Sequence, residues 1–267
     1  MAPVTNRIYA IRYAHLDRTS DKNFLGGDDH AHNMPIDYYV WVIKGASHNI
    51  VVDTGFDSAA AASRGRELIR SVADGLAAID VDPKDVADVV ITHMHYDHAG
   101  NVALFPQARF HVQDAEMAYC TGRAMTHPHL SSFFEAENVV AMVRRVFDGR
   151  VVFHAGDSQL YPGITLHHLA GHTLGLQAVR VQTDRGSVVL ASDAAHFWAN
   201  LERETPYPIV ADVPQYLESL RTLRSLASSI DHIIPGHDPL VLARFPPEAG
   251  VRDIVRLDLS PRARATP

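Results

Sequence analysis

The chain has 267 residues, 46% of them hydrophobic, which is enough to bury the core of one large globular domain or two small ones. Asp and Glu number 31 against 24 Lys and Arg, and the formal charge of −7 disfavours a nucleic acid or an anionic membrane as partner. The single cysteine, Cys120, excludes an internal disulfide and a Cys-rich zinc site, so a reducing cytoplasm is the expected compartment. We find no export signal and no apolar run long enough to span a membrane.

The N-terminal part of the chain is typical of a small sheet. Short β-rich runs cover residues 7–13, 38–43 and 49–52, and the last run ends in Asp53-Thr54-Gly55. Residues 17–35 lack periodicity and are rich in Gly, Asp and His, which predicts a long loop that forms a functional rim or a flap. Apolar spacing predicts a helix over residues 59–78, followed by a buried strand at 89–91.

The rest of the chain repeats this order of strands and then helices. Residues 114–147 predict a helical insert interrupted by Thr126-His127-Pro128-His129. Strands are predicted at 151–154, 165–169, 178–182, 187–191 and 232–234, with a helix at 213–227. This order predicts two sheets packed face to face with helices outside, in a single domain over residues 1–259. Residues 260–267 are expected to be a frayed tail.

The 17 histidines are the unusual feature of the composition, and their spacing indicates a metal site. His93, His95, Asp97 and His98 form an H-x-H-x-D-H run directly after the predicted strand at 89–91. Three imidazoles and a carboxylate within six positions are costly to crowd together without a cation. In a sharp loop, His93 and His95 would face one point, while Asp97 and His98 would face a second point nearby.

Three further donors stand just past the ends of apolar strands: His172, Asp193 and His237. Rigid scaffolds place their chemistry where strand ends gather along one edge of a sheet. Together with the first run, these residues complete two sets of ligands. All are nitrogen or oxygen donors, which suit zinc but also iron, manganese or cobalt.

This pattern resembles the metallo-β-lactamase superfamily over nearly the whole chain, including Asp53-Thr54-Gly55. The resemblance implies an α+β fold, an αββα sandwich of two mixed sheets flanked by helices. It also implies two divalent ions, with Zn²⁺ expected, and a role for Asp53 in orienting ligands. By resemblance, the first ion is held by His93, His95 and His172, the second by Asp97, His98 and His237, and both are bridged by Asp193.

Within the superfamily, the chain most resembles the quorum-quenching N-acyl homoserine lactonases and related small lactonases. That subgroup carries a tyrosine three residues after the bridging aspartate, and His196 stands at this position here. Histidine can donate a hydrogen bond or move a proton, although its reach and pKa differ from those of tyrosine. The residues expected to take part in catalysis are therefore Asp97, Asp193 and His196.

The resulting hypothesis is a metal-dependent hydrolase that opens a lactone ring with a metal-bridging hydroxide. The partner is a small-molecule lactone, either an acyl homoserine lactone or a ring-cleavage lactone from aromatic degradation. A thioesterase resembling glyoxalase II is the first alternative, although no basic glutathione-binding stretch is evident near the C-terminus. An oxidoreductase resembling the mononuclear iron persulfide dioxygenases is the second, and the complete second ligand set argues against it.

The sequence also contains candidate lining residues for a substrate pocket. Aromatic and apolar side chains from the early loop and from the helical insert could cover the metals. The candidates are Phe24, Met34, Tyr38, Tyr119, Phe133 and Phe134.

Overall fold

The computed structural model describes residues 6–45 and 48–263, and this part of the chain forms thirteen strands. In chain order they are β1 (Arg7–Leu16), β2 (Ile36–Lys44), β3 (Asn49–Val52), β4 (Glu67–Leu68), β5 (Asp88–Val90), β6 (Arg109–Gln113), β7 (Val151–His154), β8 (Ser158–Tyr161), β9 (Ile164–His168), β10 (Gln177–Thr183), β11 (Gly186–Ser192), β12 (Ile233–Pro235) and β13 (Ile254–Arg256).

The strands form two mixed sheets. The first has the order β13-β1-β2-β3-β5-β6-β7, with β4 paired to β1, and the second has the order β12-β11-β10-β9-β8. Pairing is parallel from β3 through β5 and β6 to β7 and between β11 and β12, and it is antiparallel elsewhere. The prediction of two mixed sheets flanked by helices is confirmed.

Nine α-helices lie among these strands in the described residues. They are α1 (Ser58–Arg64), α2 (Val72–Ala77), α3 (Tyr96–Ala99), α4 (Asp114–Cys120), α5 (Pro128–Ser131), α6 (Ala136–Phe147), α7 (Trp198–Arg203), α8 (Val213–Leu226) and α9 (Leu240–Arg244). Helices α4, α5 and α6 occupy the predicted insert. None of the described helices combines the length and apolar character needed to cross a membrane.

The helix predicted over residues 59–78 is wrong as a continuous element. Gly65 has φ +64° directly after α1, and this left-handed conformation ends the helix. The chain then forms the short strand β4 before Ser71 caps α2 by accepting a hydrogen bond from the backbone N–H of Asp74. Apolar spacing predicted the helical content, but it did not locate this interruption.

Strand β2 shows how the two layers of the core are built. Its side chains alternate between faces, as the pleat requires, and both faces are buried. Val40 and Val42 belong to the apolar cluster between the first sheet and its helices. Trp41 and Ile43 belong to the apolar cluster between the two sheets. A strand buried on both sides reads as a continuous apolar run, as this one does.

The two parallel pairs fix the place of the candidate site. Strands β3 and β5 run parallel, and so do β11 and β12, so the carboxyl ends of each pair lie at the same edge. The chain leaves these ends at Asp53, at the run that starts with His93, at Asp193 and near His237. His172 follows β9 in the loop that leads to β10. Donor residues that are distant in sequence therefore lie close together at this edge of the sheets.

The described part of the predicted tail is attached to α9. The backbone N–H of Arg262 donates a hydrogen bond of 2.8 Å to the carbonyl of Arg244. Residues 264–267 lie outside the described part of the chain, and the single domain over residues 1–259 stays a prediction.

Replacing Gly175 with Ala tests the packing of the loop that carries His172. A Cβ at Gly175 would overlap the backbone of Glu116 at the start of α4, which cannot move without shifting the helix. We expect a loss of about 3 kcal/mol in the free energy of unfolding, measured by denaturant titration. The control is Gly149→Ala, where φ is +68° but the space is open, and where a cost of only about 1 kcal/mol is expected. Equal losses in the two variants would contradict the packing argument.

Candidate metal centre

The H-x-H-x-D-H run turns sharply from the end of β5 into the short helix α3. His95 is extended, with φ −63° and ψ 154°, and immediately precedes α3, while Asp97 and His98 lie within it. This change from extended chain to helix points His93 and His95 to one side of the turn and Asp97 and His98 to the other. All four side chains are buried, and Asp97 is the most exposed of them at 8%.

The structure brings all seven predicted ligands together. They form two groups, and within each group the ligating atoms lie within 4.8 Å of one another. The first group contains His93, His95, His172 and Asp193, and the second contains Asp97, His98 and His237. His196 joins Asp193 and His237 in a third set, which has three members.

Asp193 lies between the two groups, with one oxygen facing each. Its Oδ2 is 3.1 Å from Nε2 of His172 and 3.9 Å from Nε2 of His93. Its Oδ1 is 3.0 Å from Nε2 of His237 and 3.3 Å from Nε2 of His98. This is the arrangement that a carboxylate shared by two cations requires.

Three of these converging atoms have no hydrogen-bond partner among the described residues. They are Nε2 of His93, Nε2 of His98 and Oδ1 of Asp193. A buried polar atom without a partner costs about 1–3 kcal/mol, so a fold that collects three of them at one point is unfavourable unless something else satisfies them. Divalent cations would do so, and the nitrogen and carboxylate donors fit zinc and similar metals.

The opposite ring nitrogen of several histidines is held by a partner outside the cluster. Nδ1 of His98 is 2.7 Å from Oδ2 of Asp53, Nδ1 of His172 is 2.7 Å from the carbonyl of Ile209, and Nδ1 of His237 is 2.9 Å from the carbonyl of Asp37. In the neutral imidazole, each contact makes Nδ1 the protonated nitrogen and leaves the Nε2 lone pair directed into the cluster. Asp53 therefore contacts a ligand in the manner that the resemblance implied.

Electrostatics favour the metal-binding protonation state at His93, His95 and Asp193. Burial, reinforced by neighbouring imidazoles, lowers the pKa of His93 and His95 well below the ordinary value of 6.5, so both are neutral near pH 7. Burial opposes ionisation of Asp193, but the surrounding histidines outweigh it and lower the pKa of this carboxyl well below 3.8. Burial also opposes the charged form of His98 and His237, but the Asp193 carboxylate outweighs it and raises the pKa of both imidazoles above 6.5, so a cation must displace a proton from each.

Glu116 is a positioning residue that the sequence did not reveal. Its side chain is fully buried on α4 and accepts hydrogen bonds from the backbone of Met94, the hydroxyl of Thr173 and the backbone of Gly175. One carboxylate thus ties the loop of His93 and His95 to the loop of His172. An acidic residue in a predicted amphipathic helix gives no signal for this, because its three partners come from other segments of the chain.

His196 lies against Asp193 and completes the wall of the cluster. Its Nε2 is 3.0 Å from Oδ2 of Asp193, and its ring stacks on that of Tyr207 with centroids 3.6 Å apart. Burial lowers the pKa of His196 to about 3, so its imidazole is neutral near pH 7. Tyr207 was missed by the sequence analysis, because nothing in the local pattern indicates this stacking.

A cavity of about 260 Å³ opens directly onto the cluster. Asp97, Asp193, His196 and His237 form part of its wall, together with residues of the early loop and of the insert. Of the six predicted lining residues, Tyr38 and Phe133 line it, while Tyr119 lines a smaller adjoining space and Phe134 packs on His95. Phe24 and Met34 were wrong, because Phe24 is buried beneath Arg203 and Met34 lies at a separate groove.

Two arginines also line the cavity, and neither was singled out from the sequence. Arg18 belongs to the predicted loop at 17–35, and Arg66 lies between α1 and β4. Their positions depend on how these loops fold over the first sheet.

Residues 35–237 match the family model of the metallo-beta-lactamase superfamily. An N-acyl homoserine lactonase of Bacillus sp is 27% identical over 165 residues, which are 61% of this chain and 60% of that protein. The N-acyl homoserine lactonase of Bacillus thuringiensis is 23% identical over 222 residues, 77% of this chain and 82% of that protein. The acyl-coenzyme A thioesterase MBLAC2 of Gallus gallus is 25% identical over 218 residues, 74% of this chain and 71% of that protein.

Solved structures show the same fold at low sequence identity. A quorum-quenching N-acyl homoserine lactone lactonase superposes with a TM-score of 0.74 at 22% identity, covering 90% of this chain and 95% of that one. AidC, described as a dizinc quorum-quenching lactonase in complex with a product, superposes with a TM-score of 0.69 at 15% identity, covering 98% and 96% of the two chains.

Replacing Asp53 with Asn tests how the second group is held. The amide would present an N–H to Nδ1 of His98, shift the ring proton to Nε2 and remove the lone pair aimed at the cluster. We expect affinity for the more weakly held of two zinc ions to fall about 10- to 100-fold, measured by chelator competition. Asp57→Asn is the matched control, because Asp57 is exposed and caps α1, a task that Asn performs equally well. Unchanged affinity in Asp53→Asn would contradict the role of Asp53.

Proposed function

The chain belongs to the metallo-beta-lactamase superfamily, and we propose that it is a metal-dependent hydrolase that opens a lactone ring. The observation that carries this proposal is Asp193, whose two oxygens face two groups of buried donors at the floor of a cavity. The similarity to N-acyl homoserine lactonases over most of the chain supports a cyclic ester as the substrate.

The residues present fit two divalent ions, with Zn²⁺ as the proposed metal. His93, His95 and His172 would hold one ion, Asp97, His98 and His237 the other, and Asp193 would contribute an oxygen to each. Such ions, when bound, supply Lewis acidity for the ester carbonyl and lower the pKa of a water that serves as nucleophile.

The side chains around this centre perform the proton transfer and the positioning. Asp193 and His196 are in contact at 3.0 Å, so a proton released at the centre can move along this pair toward the alkoxide that leaves when the ring opens. A neutral His196 has one ring N–H, so it donates either to Asp193 or to the substrate carbonyl and cannot serve both at once. Asp97 lies on the cavity wall beside His237, with 3.8 Å between Oδ2 and Nε2. The fully buried Glu116 fixes the loops that present these groups.

Zinc, a cytoplasmic location and the lactone class are parts of the proposal. The dizinc lactonase that shares the fold supports zinc. The one cysteine, Cys120, is free and buried, which suits a reducing compartment. His196 in place of the tyrosine expected of acyl homoserine lactonases leaves room for another small lactone, such as one from aromatic degradation. A role in quorum quenching is proposed only for the case in which the substrate is an acyl homoserine lactone.

A thioesterase is the second candidate, because one relative is an acyl-coenzyme A thioesterase of similar coverage. The same centre would serve it, since the carbonyl of a thioester is attacked in the same way. The mononuclear iron alternative has less support, because both donor groups are complete among the described residues.

A substrate panel tests the proposed function. Zinc-loaded protein is assayed with a pH indicator against acyl homoserine lactones, aromatic-derived lactones and acyl thioesters, since ring opening releases an acid. We expect lactone opening with two zinc equivalents, its loss after chelation and its recovery on adding zinc. Thioester hydrolysis without lactone opening would favour the second candidate. Full lactone turnover in protein stripped of metal would refute the metal-dependent mechanism.

Replacing His196 with Phe tests its part in proton transfer. Phenylalanine retains a ring to stack on Tyr207 but has no nitrogen near Asp193. We expect kcat to fall about 100-fold or more while zinc content stays at two equivalents. His127→Phe is the control, because His127 is exposed and lies outside the cavity wall. A kcat equal to that of the unmodified protein would remove His196 from the mechanism.

A further inference from the structure

We propose that the substrate of this centre carries a carboxylate besides its ester, and that Arg66, assisted by Arg18, binds this second group. The inference rests on the proposed function and narrows it to anionic lactones. Both arginines line the cavity wall beside the proposed metal ligands.

Arg66 is held at the cavity with part of its guanidinium free. Its Nε donates a hydrogen bond of 3.1 Å to the hydroxyl of Tyr96, and its Nη1 donates one of 2.6 Å to the carbonyl of Arg64. Both acceptors are uncharged, and no described carboxylate lies within 4.0 Å of this guanidinium. Nη2 makes no hydrogen bond to a described residue. The fork is thus fixed in orientation and retains donors for a planar anion.

The neighbouring Arg64 shows the ordinary alternative. It pairs with Glu135 through Nε at 3.0 Å and Nη2 at 2.5 Å, and its guanidinium stacks over the ring of Tyr96 at 3.9 Å from the centroid. The chain therefore supplies an acidic partner to the arginine outside the cavity wall and none to the arginine two residues later, which lines it.

Arg18 repeats this arrangement from the early loop. Its Nε donates to the side-chain oxygen of Asn23 at 2.7 Å, and its Nη2 donates to the carbonyl of Lys22 at 2.6 Å. It lies 5.6 Å from the centroid of the Tyr207 ring, beside His196. Among the described residues Arg18 also has no carboxylate within salt-bridge distance, although Asp17 and Asp21 are close in sequence.

The charges on the cavity wall leave these two arginines without internal compensation. Its carboxylates are Asp97 and Asp193, and both belong to the donor groups that would be neutralised by cations. The remaining charged wall residues are Arg18 and Arg66. In a chain of formal charge −7, this is a local positive site next to the reacting centre. An uncharged acyl tail offers nothing to such a site, whereas a carboxylate satisfies it.

The size of the cavity also favours a small substrate. Its volume of about 260 Å³ lies just below the range of about 300–1,000 Å³ that is usual for small-molecule pockets. It therefore suits a compact lactone with the carboxylate on or next to the ring.

The kinetic test compares two matched lactones, a γ-lactone bearing a ring carboxylate and the corresponding carboxamide. We expect zinc-loaded protein to prefer the carboxylate about 10- to 100-fold in kcat/KM, mainly through KM. In Arg66→Gln this preference should fall toward one, in Arg66→Lys it should be partly retained, and in Arg18→Gln it should fall by a smaller factor. Arg221→Gln removes the same charge from an exposed position of α8 and should leave the preference unchanged.

A binding test does not depend on turnover. Dicarboxylates from succinate to adipate, each beside its monoamide, are titrated into zinc-loaded protein by calorimetry, so that one carboxylate can reach the centre and the other the arginines. We expect at least one dicarboxylate to bind about 10-fold tighter than its monoamide, and Arg66→Gln to abolish the difference.

The two tests separate failure of this inference from failure of the proposed function. Opening of neutral lactones without a preference for the carboxylate, and equal binding of dicarboxylates and monoamides, would overturn the inference and leave the lactonase proposal standing. No opening of any lactone, together with the dicarboxylate preference and its loss in Arg66→Gln, would support the anion site and defeat the lactonase proposal. Thermal unfolding of each variant confirms that the comparison is between folded proteins.

Discussion

The structure depends on one electrostatic constraint, the cost of burying seven nitrogen and oxygen donors whose lone pairs converge. Nε2 of His93, Nε2 of His98 and Oδ1 of Asp193 have no hydrogen-bond partner among the described residues, although charged and polar atoms lie within 4 Å of each. Unsatisfied groups in a low-dielectric interior are expensive, so bound cations would stabilise this arrangement. The fold is therefore organised around a centre that it does not complete by itself.

The topology of the two sheets brings the donor residues to one place. Parallel pairs β3–β5 and β11–β12 deliver Asp53, the His93 run, Asp193 and His237 to one edge from distant parts of the chain. Buried acceptors then fix the directions of the ligands, since Asp53 holds His98 and Glu116 joins two ligand loops. A rigid edge of this kind presents a reacting centre with little further reorganisation.

Reaction type and substrate choice are located on different parts of the scaffold. The donors stand at strand ends, whereas Arg18, Arg66 and Phe133 come from loops and from the insert that cover the cavity. Loops tolerate change better than strand ends, because fewer buried contacts depend on them. A family can thus keep one centre and exchange its substrates, and here the loops place two arginines on the cavity wall.

The sequence by itself determined the fold class and the donors, because the signals for both are local. Short apolar runs mark the strands, the H-x-H-x-D-H run is contained in six positions, and His172, Asp193 and His237 each follow an apolar strand. Only the tertiary structure decided that Glu116 joins two loops, that Gly65 interrupts the predicted helix and that Arg18 and Arg66 line one cavity. These features depend on contacts between segments far apart in the chain, and no periodicity or spacing within one segment records which distant atoms it will meet.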